Sequence, residues 1–336
     1  MKMTKNKKGF EAEIWGNTSS ESLKGMEFID EIENFSNDGL ALTIGFFDGV
    51  HLGHAYLAEQ LNQIAKEEKL KSAFLTFWPH PRIVLNEPYK PKLLNSLEEK
   101  KVLMERLPID YCLQTDFSIE ISNLLAYDFM KKLLKEKLNV KHLLIGYDHR
   151  FGKNREEGFD DYCQYGEELG IKVTQAEVFM KDNFTISSSF IRNLLNVGDI
   201  RLANQYLNYS YSISGTVIEG EHLGNKMGYP TANVSLDEKN KCLPQSGAYA
   251  VKAKVKGLTL NGMAYIGTRP SVTNGNETIG IEVNIFDFNE NIYGEKISVE
   301  FLERIRAQKR FADIAELKEA IASDEKKVKE FFSKGL

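Results

Sequence analysis

Residues 45–54 read GFFDGVHLGH, a glycine-rich turn that ends in the pattern His-x-Gly-His. The turn follows an apolar run at residues 40–44, which predicts a buried strand, and precedes residues 55–69, where apolar side chains recur at helical spacing. This order of strand, turn and helix directs backbone N–H groups and the positive end of a helix dipole toward a phosphate. His51 and His54 are three residues apart at a helix start and fall on one face. We therefore expect a phosphate-binding turn.

The composition is typical of a soluble globular protein. The 336 residues favour two domains over one, and 42% hydrophobic with 27% charged residues is an ordinary balance. A net charge of −5 argues against a nucleic-acid partner, and no apolar run reaches membrane-spanning length. Cys112, Cys163 and Cys242 are odd in number and far apart, as in a reducing compartment. We therefore expect a cytoplasmic protein that binds neither nucleic acid nor membrane.

The first half of the chain alternates short apolar runs with helical patterns. The predicted strands span residues 41–46, 72–78, 111–114, 142–146 and 171–176. The predicted helices between them span residues 55–69, 97–107, 124–138 and 160–169. Such alternation is typical of a parallel, doubly wound α/β sheet, which binds its ligands at the carboxyl ends of the strands. The histidine turn lies at one of these ends.

The second half changes to the period-two pattern of antiparallel strands. The change begins near residues 209–214, and clear alternation follows at residues 251–256 and 296–301. Turn residues that suggest hairpins lie at 260–262, 274–276 and 289–291. Together these patterns predict a small β-barrel or sandwich.

A terminal helix is predicted from Ile314 onward. Asp313 and Glu316 form a capping box of the Asp type at its start. Ile314, Leu317 and Ile321 follow at helical spacing and would give the helix an apolar stripe. We expect this helix to pack on the predicted β domain.

Three further motifs in the first half lie at or near predicted strand ends or helix starts. They read TFWPHP at residues 76–81, IGYDHRFG at 145–152 and ISSSFIR at 186–192. Taken singly, each also fits a structural interpretation, namely a proline-stiffened turn, a charged surface loop and a capped helix start. Their convergence favours one ligand site. The chain has neither a Walker A nor a G-x-G-x-x-G pattern, so the histidine turn is the predicted phosphate cradle.

The chemistry that fits this site is attack by a phosphate on the α-phosphorus of ATP, with pyrophosphate leaving. The protein's part in such a transfer is to position groups and neutralise charge. His51 and His54 would donate hydrogen bonds to phosphate oxygens as negative charge grows in the transition state. Arg192 would hold the departing phosphates with its planar guanidinium group.

A second candidate site lies in the predicted β domain. Residues 220–228 place three glycines at four-residue spacing and are followed by YPTAN at residues 229–233. Thr231 and Asn233 offer oxygen ligands that suit Mg²⁺ with bound phosphates, although a flexible hairpin loop is the plain alternative. Glu282 is either a solvent-facing strand residue or a general base that takes a proton from a substrate hydroxyl.

With these residues assembled, the chain resembles the bacterial bifunctional riboflavin kinase/FMN adenylyltransferase family. The motifs GFFDGVHLGH, TFWPHP, IGYDHRFG and ISSSFIR resemble those of the adenylyltransferase module, in order. A second set of motifs resembles those of the kinase module, also in order: GNKMGYPTAN, SGAYAV, YIGTRPSV, IEVNIFDF and RIRAQKRF. The resemblance implies that ATP phosphorylates riboflavin to FMN and that a second ATP adenylylates FMN to FAD, both with Mg²⁺.

The resemblance also implies a domain organisation. An extension of unknown role at residues 1–25 would precede a Rossmann-like, doubly wound nucleotidyltransferase domain at residues 26–205. A six-stranded antiparallel riboflavin-kinase β-barrel with its terminal helix would occupy residues 206–336. Riboflavin, FMN and ATP would be the small-molecule partners. The oligomeric state stays open, with a monomer among the alternatives.

Site residues follow from the resemblance position by position. The implied catalytic residues are His51, His54 and Glu282. The implied ATP-binding residues are Gly45, Phe47, Asp48, Gly53, Ser188, Arg192, Gly224 and Lys226. The implied flavin-binding residues are Phe77, Asp148, Phe151 and Arg306, and the implied metal ligands are Thr231 and Asn233.

Two positions depart from the family pattern. Asn225 stands where bacterial members usually carry arginine in the kinase glycine loop, and Phe46 replaces the more usual asparagine in the first motif. Three alternatives stay open: a protein with only one working module, another His-x-Gly-His nucleotidyltransferase such as a pantetheine-phosphate or nicotinamide-mononucleotide adenylyltransferase, and a regulatory flavin binder. The last would require loss of catalytic groups, yet the residues implied for catalysis and metal binding are all present.

Overall fold

The computed structural model of the chain describes residues 25–80, 84–85, 92–182, 184–220, 224, 227–269 and 278–335. The chain divides into two compact units. The first comprises Met1–Pro91 and Leu97–Ser187, and the second comprises Lys92–Ser96 and Ser188–Leu336. The predicted N-terminal extension lies, except for its last residue, outside the described residues. No helix in the described part of the chain is long and apolar enough to cross a membrane.

The first unit is built on a six-stranded parallel sheet. Its strands are β1 (Glu27–Ile29), β2 (Leu40–Ile44), β3 (Lys71–Trp78), β4 (Tyr111–Asp116), β5 (Val140–Ile145) and β6 (Lys172–Gln175). They lie in the order β1-β4-β3-β2-β5-β6, and every neighbouring pair is parallel. The predicted doubly wound sheet is confirmed. Strand β1 was not predicted, because three residues are too few to show a period.

Helices connect the strands of this sheet. They are α1 (Leu52–Glu68), α2 (Leu97–Met104), α3 (Ile119–Ser122), α4 (Ala126–Phe129), which continues as π-helical turns at Met130–Lys137, and α5 (Phe159–Leu169). A short hairpin follows, formed by β7 (Met180–Lys181) and β8 (Phe184–Thr185). Parallel neighbours need such crossover connections, because a tight turn can only join antiparallel strands.

The core of the first unit lies against the faces of this sheet. Every residue of β2 is buried, as expected for a central parallel strand that is covered on both sides. Leu42 of β2 belongs to one hydrophobic cluster with Phe129 and Leu134 from the helical segment after α3. The carboxyl end of β2 is therefore a rigid base for the histidine turn.

The second unit is a closed antiparallel barrel, and its described residues include three helices longer than one turn. The helices are α6 (Ser188–Val197), α7 (Ile200–Leu207) and α8 (Ile314–Ser333). The strands are β9 (Ser212–Ile218), β10 (Ala232–Leu236), β11 (Gly247–Val255), β12 (Leu258–Arg269), β13 (Thr278–Ile285) and β14 (Lys296–Ala307). They close in the order β10-β13-β12-β11-β14-β9, so the predicted six-stranded barrel is confirmed. Closure leaves no free strand edge.

The hairpin turn predicted at residues 260–262 is wrong. These residues lie inside β12, where Asn261 pairs with Lys252 of β11. The turn between the two strands is formed by Lys256 and Gly257, whose φ values are 48° and 77°. Two successive positive φ values match the right-handed twist of the flanking strands, so the turn forms here and not at the Asn261-Gly262 pair further along.

The other two predicted turns have different outcomes. Residues 289–291 do lie in a loop, the connection from β13 to β14. Those strands are not neighbours in the barrel, so the loop does not close a hairpin. Residues 274–276 lie outside the described residues.

Helix α8 begins at the predicted cap. The Asp313 carboxylate accepts a hydrogen bond from the Glu316 N–H at 2.8 Å, as an N-terminal cap requires. Leu317 and Ile321 line a cavity of the barrel. Ile314, predicted on the same stripe, is 64% exposed. The apolar stripe therefore begins one turn later, at Leu317.

A short segment from the middle of the chain, Lys92–Ser96, belongs to the second unit. The Leu93 carbonyl accepts a hydrogen bond from the Cys242 N–H at 2.7 Å. The neighbouring Lys241 is 3% exposed, and its ammonium group donates to the Leu94 carbonyl at 2.7 Å. Main-chain and side-chain bonds thus tie the segment into the second unit.

Candidate active sites

The histidine turn is a left-handed loop between β2 and α1. Phe47, Gly49 and Val50 have φ values of 53°, 84° and 33°, a region that non-glycine residues adopt rarely. The turn starts from a fixed point, because the Gly45 N–H donates to the Leu75 carbonyl of β3 at 3.0 Å. Such strain persists only where the surrounding structure enforces it, and it is typical of functional sites.

Two histidines stack at the start of α1. The ring centroids of His51 and His54 are 3.7 Å apart, with 16° between the planes. The His51 carbonyl accepts a hydrogen bond from the His54 N–H at 2.8 Å. Gly53 allows this close packing, since a Cβ there would lie 3.1 Å from the His51 ring and 3.2 Å from the Ile186 carbonyl oxygen. The structure thus brings the two predicted catalytic histidines together.

Burial keeps the second histidine uncharged. Burial first, then the charges of His51 and Lys100, hold the pKa of His54 well below its usual value of 6.5. Its Nδ1 atom is buried and has no hydrogen-bond partner among the described residues. The ring lies edge-on to Phe47, with centroids 5.4 Å apart, and Phe47 stacks on Phe74 at 4.3 Å. His54 is therefore an oriented, neutral imidazole that can donate one hydrogen bond.

The residues predicted to bind flavin in the first unit are two core aromatic rings and one exposed carboxylate. Phe77 packs edge-on against Phe117, with centroids 5.6 Å apart. Phe151 stacks on Tyr162 at 4.2 Å. Both phenylalanines are 8% exposed, so each presents little more than a ring edge to a ligand. Asp148 is exposed.

The residues predicted to bind ATP are divided between the two units. Asp48 lies in the histidine turn and is 6% exposed. Ser188 is the first residue of α6, and Arg192 lies one turn further along that helix. Both are half-buried and belong to the second unit. Their contact with ATP stays a prediction.

The second unit contains a cavity of about 350 Å³. The predicted residues that line it are Gly224, Thr231, Asn233, Glu282 and Arg306. Strands β10, β13 and β14 supply three of them, and α8 closes the cavity from one side. The structure therefore brings together all the residues predicted for this site except Lys226, which, like Asn225, lies outside the described residues.

Glu282 faces the cavity rather than bulk solvent. It lies opposite Asn233 in the β10–β13 pair and opposite Tyr265 in the β12–β13 pair. Its Oε2 accepts a hydrogen bond from the Thr231 hydroxyl at 3.3 Å. The next inward residue, Asn284, donates from Nδ2 to the Pro230 carbonyl at 2.7 Å. These contacts fix the segment that carries Thr231 against the strand that carries Glu282.

Thr231 and Asn233 fit a hard divalent cation. A hydroxyl and an amide carbonyl are neutral oxygen donors, which Mg²⁺ accepts beside phosphate oxygens. Gly220 makes room for the amide, because a Cβ there would lie 2.0 Å from Asn233 Nδ2. The described residues contain no group of three or more His, Cys, Asp or Glu side chains that could hold a metal alone. With two protein oxygen donors, a cation here would take its other ligands from water or from substrate phosphates.

Arg306 forms one wall of the cavity together with groups that the sequence patterns did not identify. Its Nε donates to Asp324 Oδ2 of α8 at 2.7 Å. Its guanidinium lies 5.9 Å from the ring centroid of Tyr265 and 5.4 Å from that of Phe311. Burial raises the pKa of Asp324, and Arg306 opposes that shift. Asp324 follows Ile321 by three residues on the apolar face of α8, a signal that could have revealed it.

Two protein families match successive parts of this chain. The FAD synthetase family matches residues 33–190, and the riboflavin kinase family matches residues 207–332. A bifunctional riboflavin kinase/FMN adenylyltransferase from Bacillus subtilis is 38% identical over 296 residues, which are 87% of this chain and 92% of that protein. The Escherichia coli protein of the same name is 37% identical over 313 residues, covering 91% of this chain and 98% of that protein.

One similar solved structure spans both units of the chain. It is a crystal structure from Streptococcus pneumoniae described as a macrolide-efflux protein, with a TM-score of 0.79 and 29% sequence identity. The match covers 90% of this chain and 98% of that chain. The similarity supports the fold, and the description applies to that protein.

Proposed function

The chain belongs to the bifunctional riboflavin kinase/FMN adenylyltransferase family, and on that basis we propose which of its residues carry the two reactions. The kinase reaction transfers the γ-phosphoryl group of ATP to riboflavin and gives FMN. The adenylyltransferase reaction joins FMN to the AMP part of a second ATP and gives FAD and pyrophosphate. We assign the first reaction to the cavity of the second unit, because Glu282 and Thr231 are hydrogen-bonded there. We assign the second reaction to the histidine turn.

In the kinase site, Glu282 is the proposed general base. Its carboxylate would accept the proton of the ribityl 5′-hydroxyl as that oxygen bonds to the γ-phosphorus and the bond to ADP breaks. The hydrogen bond from Thr231 orients the carboxylate. Arg306, with the rings of Tyr265 and Phe311 beside it, provides a planar wall suited to an aromatic flavin ring.

Thr231 and Asn233 are the proposed protein ligands for Mg²⁺. Kinase and adenylyltransferase reactions on ATP typically depend on a divalent metal, which neutralises phosphate charge when bound. The hydroxyl and amide oxygens at these positions suit Mg²⁺, which keeps few protein ligands and shares the substrate's phosphate oxygens. The hydrogen bond between Thr231 and Glu282 brings the metal ligands close to the proposed base.

At the histidine turn, a phosphate oxygen of FMN would attack the α-phosphorus of ATP. The bond between the α- and β-phosphates would break, and pyrophosphate would leave. His51 and His54 would donate hydrogen bonds to the oxygens on which negative charge grows. Because burial keeps His54 neutral, its contribution would be a directed hydrogen bond rather than an added charge. Ser188 and Arg192 are the proposed contacts of the departing phosphates.

We also propose that both reactions take place in the cytoplasm, with riboflavin, FMN and ATP as the binding partners. The three cysteines are present as thiols, which persist in a reducing compartment. Asn225 prompted the alternative that only one module works, and the experiment below tests that alternative.

The test is a time course with riboflavin, ATP and Mg²⁺, in which riboflavin, FMN and FAD are separated by chromatography. We expect FMN to rise first and FAD to follow, and FAD to form without a lag when FMN is supplied. Accumulation of FMN without FAD would overturn the assignment of the first unit. Formation of FAD from FMN but not from riboflavin would overturn the assignment of the second unit.

The metal is tested in the same assay after removal of divalent ions. Both reactions should stop with chelator and return when Mg²⁺ is added. Recovery with another divalent ion but not with Mg²⁺ would contradict the proposed metal.

A further inference from the structure

A lysine is buried beside the histidine turn. Lys100 of α2 is 2% exposed. Its Nζ atom lies 3.2 Å from the Phe46 carbonyl oxygen and 3.3 Å from Thr76 Oγ1, and it donates a hydrogen bond to each. Burying an ammonium group is unfavourable unless such bonds satisfy it. The proposed chemistry does not use this group, so its burial beside the site needs another reason.

The hydrogen bonds and ring contacts described for Lys100 come from the carboxyl ends of two adjacent strands. Phe46 follows β2 by two residues, and Thr76 and Trp78 lie in the last three residues of β3. The Nζ atom also lies over two aromatic rings, 4.5 Å from the centroid of Phe46 and 5.4 Å from that of Trp78. Cation–π contacts of this kind strengthen when they are shielded from water. One side chain therefore joins the two strand ends from which the turn departs.

The position of Phe46 makes this contact consequential. Its carbonyl precedes Phe47, the first of the positive-φ residues of the turn. A hydrogen bond to that carbonyl fixes the peptide plane from which the left-handed turn begins. His51 lies four residues after Phe47, so a rotation of the peptide between Phe46 and Phe47 would displace both histidines.

The charge of Lys100 also acts on its surroundings. Burial lowers the pKa of Lys100 to about 8, with Lys101 adding to this shift and Cys112 and Asp48 opposing it. Burial raises the pKa of the Cys112 thiol to about 12, so the thiol is neutral. Lys100 is therefore mostly protonated at neutral pH. Its charge acts on His54 in the same direction as that of His51, against protonation.

We propose that Lys100 is a positioning residue for adenylyl transfer, whose ammonium group holds the Phe46 carbonyl and the Thr76 hydroxyl at the start of the histidine turn. The inference rests on the proposed role of His51 and His54 in that reaction. Lys100 touches the turn and not the reacting atoms, so it acts through the histidines. Only its protonated form makes charge-assisted hydrogen bonds to these oxygens and cation–π contacts with the two rings.

The experiment compares Lys100→Met and Lys100→Arg with the unmodified chain. For each protein, kcat and KM for FMN adenylylation are measured across the pH range, with riboflavin phosphorylation as an internal measure of the second unit. In the unmodified chain, kcat should decline above pH 8, because Lys100 loses its proton near that pH. Lys101→Met is the matched control, since Lys101 is the next residue and pairs with Asp30 at the surface.

The two variants should separate the effect of the positive charge at position 100 from the effect of side-chain size. Lys100→Met should lower kcat for adenylylation by about 10- to 100-fold, the scale of a small displacement of catalytic groups. Its alkaline decline should be absent. Lys100→Arg should keep kcat within about fivefold and also lose the alkaline decline, because arginine does not deprotonate in this range. Riboflavin phosphorylation should be unchanged in both variants and in the Lys101→Met control.

Three results would overturn the inference. The first is a Lys100→Met variant whose kcat for adenylylation stays within about twofold of the unmodified chain. The second is an alkaline decline that persists in Lys100→Arg, and this test stands even if Lys100→Met fails to fold. The third is an equal loss in Lys101→Met. If the unmodified chain forms no FAD from FMN, the proposed function fails instead.

Discussion

The hydroxyl of Thr231 and the carboxylate of Glu282 are directly hydrogen-bonded, with Oγ1 and Oε2 3.3 Å apart. A proposed metal ligand and the proposed general base of the kinase reaction therefore share one contact. Replacing either residue changes the surroundings of the other, so a loss of rate alone does not separate their roles. The dependence on metal concentration helps to separate them, because loss of a ligand oxygen raises the Mg²⁺ requirement, whereas loss of the base lowers the rate at saturating Mg²⁺.

Glu282→Gln should abolish most of the kinase activity. The amide keeps the shape of the side chain but cannot accept the substrate proton, so kcat for riboflavin phosphorylation should fall by about 10²- to 10⁴-fold. Formation of FAD from supplied FMN should be unaffected. The matched control is Glu300→Gln, at a strand glutamate paired with Lys254 on the barrel. A Glu282→Gln variant with the phosphorylation rate of the control would refute the proposed base.

Thr231→Val should raise the Mg²⁺ concentration needed for half-maximal phosphorylation. Valine has nearly the same shape as threonine but lacks the hydroxyl oxygen, and we expect an increase of about tenfold or more. Thr231→Ser keeps the oxygen and should behave like the unmodified chain. Titration of the kinase rate with Mg²⁺ at saturating ATP measures the effect. If valine and serine give the same Mg²⁺ dependence, Thr231 is not a ligand.

His54→Ala should impair adenylyl transfer and leave the kinase intact. Removing one preorganised donor typically lowers kcat by about 10²- to 10³-fold. The control, Gln63→Ala, changes an exposed residue of the same helix that bonds only to Glu67 among the contacts described for its side chain. Initial rates of FAD formation from FMN and ATP give the comparison. Near-normal rates for His54→Ala would exclude the donor role.

Asp324→Asn should destabilise the second unit and weaken riboflavin binding. The side chain of Asp324 is 5% exposed and that of Arg306 is 19% exposed, and breaking a buried ion pair costs about 3–5 kcal/mol. Because Arg306 lines the cavity, KM for riboflavin should rise while kcat changes less. Urea unfolding followed by circular dichroism and kinase kinetics are the measurements.

The control for this ion pair is Asp237→Asn. Asp237 pairs with Lys296 at the surface, where the two side chains are 39% and 72% exposed. Such exposed pairs contribute about 1 kcal/mol or less. Equal effects of Asp324→Asn and Asp237→Asn would contradict the importance of the buried pair.

His149→Phe should reduce the acid sensitivity of the first unit. Burial, with the charge of Arg155, lowers the pKa of His149 to about 4, and its Nε2 has no hydrogen-bond partner among the described residues. The folded state therefore resists protonation that the unfolded chain accepts below pH 6.5. Stability from this residue is complete above pH 6.5 and is lost as the pH falls toward 4, by on the order of 2–3 kcal/mol.

Tryptophan fluorescence isolates the first unit in this measurement. The chain has two tryptophans, and the one that the structure describes, Trp78, ends strand β3 of the first unit. The melting temperature of His149→Phe should exceed that of the unmodified chain by more at pH 5 than at pH 8. An equal difference at both pH values would show that His149 does not contribute to the acid sensitivity.

The parts of the fold that the sequence predicted are those where one periodicity dominates. β2 is buried at every position, and four of its five residues are apolar, because the sheet is covered on both faces. The barrel strands alternate between apolar and polar residues because only one of their faces is covered. The turn between β11 and β12 was misplaced because two signals compete locally. Asn261 and Gly262 resemble a hairpin turn, but Lys256 and Gly257 close the strands where their pairing is complete.

The site residues that escaped prediction are charged groups on buried faces. Lys100 lies three residues before Leu103, and Asp324 three residues after Ile321, so each shares a helix face with apolar side chains. Helical charges are mostly solvent-exposed, and a sequence pattern alone does not show which of them has a buried partner. The partners, Phe46 and Arg306, come from distant positions that only the folded chain brings together.

The segment Lys92–Ser96 limits how the protein can be divided. The chain passes into the second unit twice, first for these few residues and again from Ser188 onward. A fragment that starts at Ser188 would therefore lack the Leu94 carbonyl to which the buried ammonium group of Lys241 donates. A single cut cannot release the kinase unit whole. A fragment cut at the start of the riboflavin kinase match, residue 207, would likewise lack this segment.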